Sequence, residues 1–105
     1  MNIFLIEIPK SSGHEQQGLR PAIIVSRPHP NISMIIPLTS NLLAEKFDNT
    51  LILKATEINK LTTTSIALIF QMRAIDNSRI QRKLGKLSVD EEENIRNSLR
   101  NMLNL

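Results

Sequence analysis

Only the last part of this chain repeats its apolar residues at helical spacing, and that leaves everything upstream to be sheet and turn. Ser88-Val89-Asp90-Glu91 has the form of a capping box, in which the serine oxygen and the Glu91 carboxylate satisfy free backbone N–H groups. Asp90 to Glu93 put negative charge at the positive end of the helix dipole. Ile95, Leu99, Met102 and Leu103 then form one apolar stripe for packing on a sheet. Five or six short strands with a single terminal helix to cover them predict a mostly β fold, an antiparallel, barrel-like sheet.

The strands are legible as apolar runs between turn signals. Ile3 to Ile8 is the first, with Glu7 its only charge, and Pro9 to Leu19 is a loop marked by Ser11-Ser12-Gly13 and Gly18. Arg20 to Ser26 is the second, with Pro21 tolerable near a strand start. Arg27-Pro28-His29-Pro30-Asn31 reads as a turn, since two prolines so close do not suit a sheet interior. Ser33 to Thr39 is the third, with Pro37 suggesting an edge or bulge. Asn41 to Asn49 reads equally as loop or short helix, Thr50 to Lys54 as β, and Thr56 to Leu61 as one helical turn. Thr64 to Ala74 is strongly β, with Ile66, Leu68, Phe70 and Met72 on one face and Ile75 to Ser78 breaking it; Arg82 to Lys86 forms a short last strand. Met34, Met72 and Met102 are expected in the core.

A chain of 105 residues with 41% hydrophobic content suits one domain, residues 1–105, with a single core. It contains no cysteine, which removes disulfides and thiolate metal sites. Met1 to Ile8 is too short to span a membrane and lacks the basic start of a signal peptide, so a soluble cytoplasmic protein with no membrane association is expected. The net charge is +3, and cations gather at Arg73, Arg79, Arg82, Lys83 and Lys86 against the single acid Asp76. Such a patch suits a polyanion and equally suits a solvated face. Phe4, Phe47 and Phe70 are the only Phe, Tyr or Trp residues, too few for aromatic stacking to be the main mode of RNA binding.

Gly13-His14-Glu15-Gln16-Gln17-Gly18-Leu19-Arg20-Pro21 holds the chemistry, a polar loop feeding the apolar strand Ala22-Ile23-Ile24-Val25. Metal-independent RNA cleavage needs a base for the 2′-hydroxyl, a cation for the phosphorane oxygens and an acid for the departing 5′-oxygen. Glu15 can serve as base and His14 as acid, while the Arg20 fork matches phosphate oxygens. Thr39 offers a hydroxyl at the end of the third strand. Read alone, an Arg-Pro at a strand start is usually only a salt bridge or surface group, a loop glutamate is usually solvated, and a loop histidine has no functional meaning in most proteins. No metal is expected, because His14 and His29 lie far apart with no carboxylate cluster near both; no cofactor is expected either.

Taken together, GHEQQGLRPAIIVS resembles the loop and second strand of the MazF/PemK (Kid-like) family of toxins from type II toxin–antitoxin pairs. Pro37-Leu38-Thr39-Ser40 resembles the family's P-x-T segment, and the run from Thr64 to Asp76 resembles its strand ending in Q-x-R-x-I-D. Arg79-Ile80, Lys83 to Leu87 and the terminal helix complete the pattern across almost the whole chain. The resemblance implies an SH3-like small barrel of the CcdB–MazF type with a C-terminal helix. It also implies a homodimer that cuts single-stranded RNA at short sequences, leaving a 2′,3′-cyclic phosphate and a 5′-hydroxyl. The implied partner is a cognate antitoxin whose acidic, flexible tail occupies the RNA groove. By motif position, catalytic roles fall on Glu15, Arg20 and Thr39, and in the PemK/Kid branch also on His14. Gln16, Gln17 and Ser40 flank these positions and are assigned to RNA binding with Arg73, Arg79 and Lys83, the last three by charge.

The chain departs from that pattern in two places. Met1-Asn2 leads straight into Ile3, where many relatives have an Arg-Gly-acid opening. The place before Gln71 is commonly acidic, and the Kid branch carries an arginine two residues earlier; here those places hold Phe70 and Leu68. With Glu15, Arg20 and Thr39 intact, an active enzyme is expected, with Phe70 altering target choice or rate. The competing expectation is a non-catalytic module on the same fold, either a CcdB-like gyrase poison or an inactive antitoxin-binding paralogue, whose action would survive loss of Arg20 but not truncation near Leu99.

Overall fold

Isoleucine builds the sheet: Ile3, Ile6, Ile23, Ile35, Ile36 and Ile66 are all fully buried. Their branched Cβ atoms fit a pleated surface and restrict χ1, which favours strand over helix. The computed structural model describes residues 1–9 and 18–105. Seven strands run β1 (Asn2–Ile8), β2 (Gly18–His29), β3 (Ile32–Thr39), β4 (Thr50–Leu53), β5 (Ser65–Leu68), β6 (Arg73–Asp76) and β7 (Ile80–Lys86), followed by the helix α1 (Val89–Leu103). Short 3₁₀ turns occupy Leu42–Lys46, Ile69–Gln71 and Asn77–Arg79.

All pairings are antiparallel, in the order β4-β5-β3-β2-β1-β7, with β6 added to β3 beside β5. Register shifts at Ile3/Phe4 and Leu5/Ile6 of β1, and around Ser26 of β2, insert extra residues that bend and twist the strands. The sheet curls toward a barrel without closing: among the described residues no ladder joins β7 to β4 or β6.

Alternation along the central strands fills both faces. Ile3, Ile23, Ile36 and Leu38 face one cluster, which Ile95 of α1 completes; Ala22, Ile24 and Ile35 face the other with Ile6, Ile8 and Ile75. Full burial of Ile95 contributes about 1.5–3 kcal/mol and fixes α1 on the sheet. The expected capping box is present: Ser88 Oγ accepts from the Glu91 N–H at 3.1 Å, and Ser88 N–H donates to Glu91 Oε1 at 2.9 Å. Leu99 and Met102 pack on the same cluster, but Leu103 is about half exposed and lies off the stripe. Of the methionines expected inside, Met34, Met72 and Met102 are each only partly buried.

Several strand limits differ from the sequence reading. β2 continues to His29, so Arg27-Pro28-His29 is strand and the turn is confined to Pro30-Asn31. An extra residue between the pairs Ser26–Met34 and His29–Ile32 relieves the ladder at Pro28. Pro37 lies on a central strand rather than an edge, in the interval where β3 changes partner from β6 (last pair Ile35–Arg73) to β5 (first pair Leu38–Ala67). That change of partner also divides the expected strand 64–74 into β5 and β6 at the Ile69–Gln71 turn. Leu68 turns into the core and Phe70 out of it, so the two do not share a face. The sheet continues through Ile75 and Asp76, and the break falls at Asn77–Arg79; β7 begins at Ile80 rather than Arg82. The 41–49 segment resolves as the Leu42–Lys46 turn, capped by Asn41 Oδ1 accepting from the Leu43 N–H at 3.2 Å.

Residues 54–61 are held from inside by Asn59, which is fully buried. Its carboxamide donates to Lys54 O (2.8 Å) and Glu91 Oε2 (3.1 Å) and accepts from the N–H groups of Thr56 (2.9 Å) and Leu61 (3.0 Å). Lys60 N–H bonds Thr56 O at 3.0 Å, the single helical turn expected there. Gly85 of β7 passes beneath this loop: a Cβ there would meet the Asn59 carbonyl oxygen at 2.2 Å. No helix among the described residues is long and apolar enough to cross a membrane.

Candidate active site

Two strand ends and one loop enclose a cavity of about 300 Å³, lined on its polar side by Arg20, Thr39, Ser40, Lys60, Thr62 and Thr63. Arg20 arrives on β2, entered through Gly18, whose φ of +90° is a conformation that glycine adopts at little cost. In the β2–β3 ladder Ala22 pairs with Pro37, and continuing that register by two residues brings Arg20 alongside Thr39. Thr39 is nearly buried, and its Oγ1 accepts from the Asn41 N–H at 3.2 Å, which fixes the hydroxyl at the mouth of the cavity. Ser40 stands exposed beside it.

The loop after β4 supplies the other wall. Lys60 adopts a left-handed φ of +56°, held by the Asn59 network on one side and Leu61 on the other. The cavity thus carries two cations, several hydroxyls and no carboxylate among its described lining residues. Low-dielectric walls of Leu38, Leu61 and Leu84 strengthen the field of those cations. Such a site suits a phosphate: guanidinium and ammonium for its charge, hydroxyls for its oxygens. Among the described residues no three His, Asp or Glu side chains gather into a group that could hold a metal ion.

His14, Glu15, Gln16 and Gln17 lie in 10–17, outside the described residues. The structure brings Arg20, Thr39 and Ser40 together; Arg73, Arg79 and Lys83 stand elsewhere. Arg73 opens β6 opposite Ile35, and its Nη1 is buried with no hydrogen-bond partner among the described residues. Arg79 Nη1 pairs with Glu7 Oε1 at 3.2 Å, an exposed ion pair worth little in isolation. Lys83 is exposed on β7 opposite Phe4. Of the expected cationic patch, Arg79 also acts on Asp76, whose carboxyl is held below the usual range chiefly by the Ser78 backbone and side chain and further by Arg79.

Lys60 and the hydroxyls of Thr62 and Thr63 were not anticipated from sequence. Lys60 has no distinguishing neighbour in the chain; only the buried carboxamide beside it marks the loop as built, and Asn59 reads in sequence as an ordinary turn residue. A second, smaller concavity of about 230 Å³ adjoins the first, with Thr39 lining both. Phe47 and Phe70 stand in its wall, their ring centroids 6.0 Å apart and planes 64° to one another.

The family model for the PemK-like, MazF-like toxin of type II toxin–antitoxin systems matches residues 1–103. The fold is also similar to solved structures. A MazF from Deinococcus radiodurans superposes with a TM-score of 0.80 at 24% identity, over 99% of this chain and 94% of that one. The Mycobacterium tuberculosis toxin MazF-mt6 gives 0.78 at 18% identity, over 100% and 98%. A MazE–MazF structure from D. radiodurans gives 0.72 at 21% identity, over 99% and 93%.

Proposed function

We propose that this chain, which belongs to the PemK-like, MazF-like toxin family of type II toxin–antitoxin systems, is a metal-independent endoribonuclease acting on single-stranded RNA. The observation that carries the reading is the cavity in which Arg20, Thr39 and Lys60 converge. One RNA phosphodiester seats there with its non-bridging oxygens toward Arg20 and the Thr39 hydroxyl. Glu15 takes the proton of the neighbouring 2′-hydroxyl, the 2′-oxygen attacks phosphorus, and charge on the equatorial oxygens is met by the guanidinium. The bond from phosphorus to the 5′-oxygen breaks as His14 protonates that oxygen. The products are a 2′,3′-cyclic phosphate and a 5′-hydroxyl.

The test is incubation of the protein with RNA in excess chelator. Wild type cuts, and Arg20→Ala cuts at least about 100-fold more slowly, the scale of losing a charge-stabilising donor. Equal rates for the two end the proposal. As partner the reading takes a cognate antitoxin whose acidic tail lies over the same cations, and as assembly a homodimer; the D. radiodurans MazE–MazF structure supports the first.

Leu68 and Phe70 favour a second reading, a non-catalytic module. Leu68 is buried against Ala44 and Ile66, so this chain holds no arginine there to assist at a phosphate. Under that reading toxicity survives Arg20→Ala. Since Leu99 packs on the core, substitution of the exposed Leu103 and Leu105 replaces truncation as its second arm.

A further inference from the structure

We infer that the concavity beside Thr39 is a nucleobase subsite whose wall is the Phe47–Phe70 pair, and that it sets which nucleotide the enzyme accepts next to the cut. The inference rests on the endoribonuclease reading above. The two aromatic side chains stand side by side at 51% and 43% exposure, an apolar patch of two rings open to a flat ligand. In an edge-to-face pair the ring contributing its edge keeps both faces uncovered by its partner, available for stacking.

The wall is pinned rather than loose. Phe70 N–H donates to Asn49 O at 3.2 Å, which ties the 69–71 turn to the end of the 41–49 segment, and Asn49 takes the left-handed φ of +59° that asparagine tolerates. Beneath it Leu68, Ala44 and Ile66 form a small core of their own. Around the rings the pocket is polar in the way a base edge requires. Asn41 accepts from the Leu43 N–H through its carboxamide oxygen, and Asn41 and Gln71 both line the concavity. Lys46 Nζ stands over the Phe47 ring, 5.4 Å from its centroid, a cation–π contact that takes one face of Phe47 and leaves its other face and the Phe70 ring to a base. The volume of about 230 Å³ is room enough for one base. Because Thr39 lines both concavities, a strand with its scissile phosphate at Arg20 delivers an adjacent base to the rings.

The sparse aromatics of the sequence therefore make one stacking site rather than a platform. Phe70 belongs to it together with Phe47.

The experiment is an abasic scan. Using an RNA oligonucleotide that wild type cuts, each nucleotide flanking the cut is replaced in turn by an abasic residue, and cleavage is measured for wild type, Phe70→Leu and the double variant Phe47→Ala/Phe70→Ala. At one position the wild type loses about tenfold or more, the scale of one base–aromatic stack, while the double variant, already slower on intact RNA by a similar factor, loses little further. Phe70→Leu, which keeps the apolar volume, gives an intermediate loss and reports on folding through an unchanged melting temperature. Abasic penalties that match between wild type and the double variant at every position overturn the subsite even if cleavage is robust. If wild type cuts no RNA, the endoribonuclease reading fails separately, and the same coupling is read from binding of the oligonucleotides; absent binding or absent coupling overturns the subsite too. A double variant that shows no coupling but changes oligomeric state assigns the rings to a contact between protein chains and likewise overturns it.

Discussion

At the scale of single residues the site depends on groups that never touch a substrate. Asn59 is the clearest: buried, with its carboxamide spent on four partners, it presents Lys60 to the cavity and ties the loop to the first turn of α1 through Glu91. Gly85 leaves the space that this loop backbone occupies, because a methyl group there would collide with the carbonyl carbon and oxygen of Asn59 at 2.6 and 2.2 Å. Neither neighbour is a flexible side-chain end, so the loop itself must move. Gly85→Ala is therefore expected to destabilise the fold by about 3 kcal/mol and to lower the melting temperature by more than about 10 °C. A melt within about 2 °C of wild type would show that the loop accommodates the methyl group and that Asn59 does not fix it. None of this is visible in the chain itself, where Asn59 and Gly85 are ordinary turn and strand residues. Arg20 and Thr39 are different: the Arg-Pro at a strand start and the hydroxyl closing an apolar run are local features, and they do meet in one cavity.

At the scale of elements, local signals determined type well and limits poorly. The helix needed only its own residues: an N-cap, acids in the first turn and an apolar stripe. The strand limits failed where a neighbour decides, at Pro28 inside a bulge and at the change of partner that divides 64–74. An apolar run has the same local pattern whether it faces one partner strand or two. The start of α1 also carries a pH dependence. The Glu92 carboxyl is held below the usual glutamate range, first by its hydrogen bond to the N-terminal ammonium of Met1, with Arg96 adding to it, while partial burial opposes them. A carboxyl lowered in the folded state stabilises that state at pH values above its unfolded pKa and loses the contribution as pH falls through the folded value. Glu92→Gln should therefore melt lower than wild type at pH 7, with the gap closing in acid below the ordinary carboxylate range. A gap that stays constant from neutral to acid would mean that the ion pair adds nothing to the helix start.

At the scale of the whole molecule, the curled sheet brings parts of β2, β3, β7 and the 60–63 loop around one concavity, an assembly no single stretch of sequence announces. Composition suggested a basic face on Arg73, Arg79 and Lys83, whereas the cations that line the concavity among the described residues are Arg20 and Lys60, which are distant in sequence. What the sequence could convey was the strand-end chemistry and the family pattern; the convergence of Arg20, Thr39 and Lys60 on one concavity arises only on folding. In the proposed reaction this concavity positions a ribose 2′-hydroxyl for attack on the phosphate held by Arg20 and Thr39. The most direct measurement replaces that one 2′-hydroxyl by hydrogen in an otherwise unchanged RNA oligonucleotide and identifies the ends of the products. The deoxy substrate is expected to stay intact in chelator while the all-RNA substrate yields only 2′,3′-cyclic phosphate and 5′-hydroxyl ends. Cleavage of the deoxy substrate at an undiminished rate, or products ending in a 3′-hydroxyl, would contradict it.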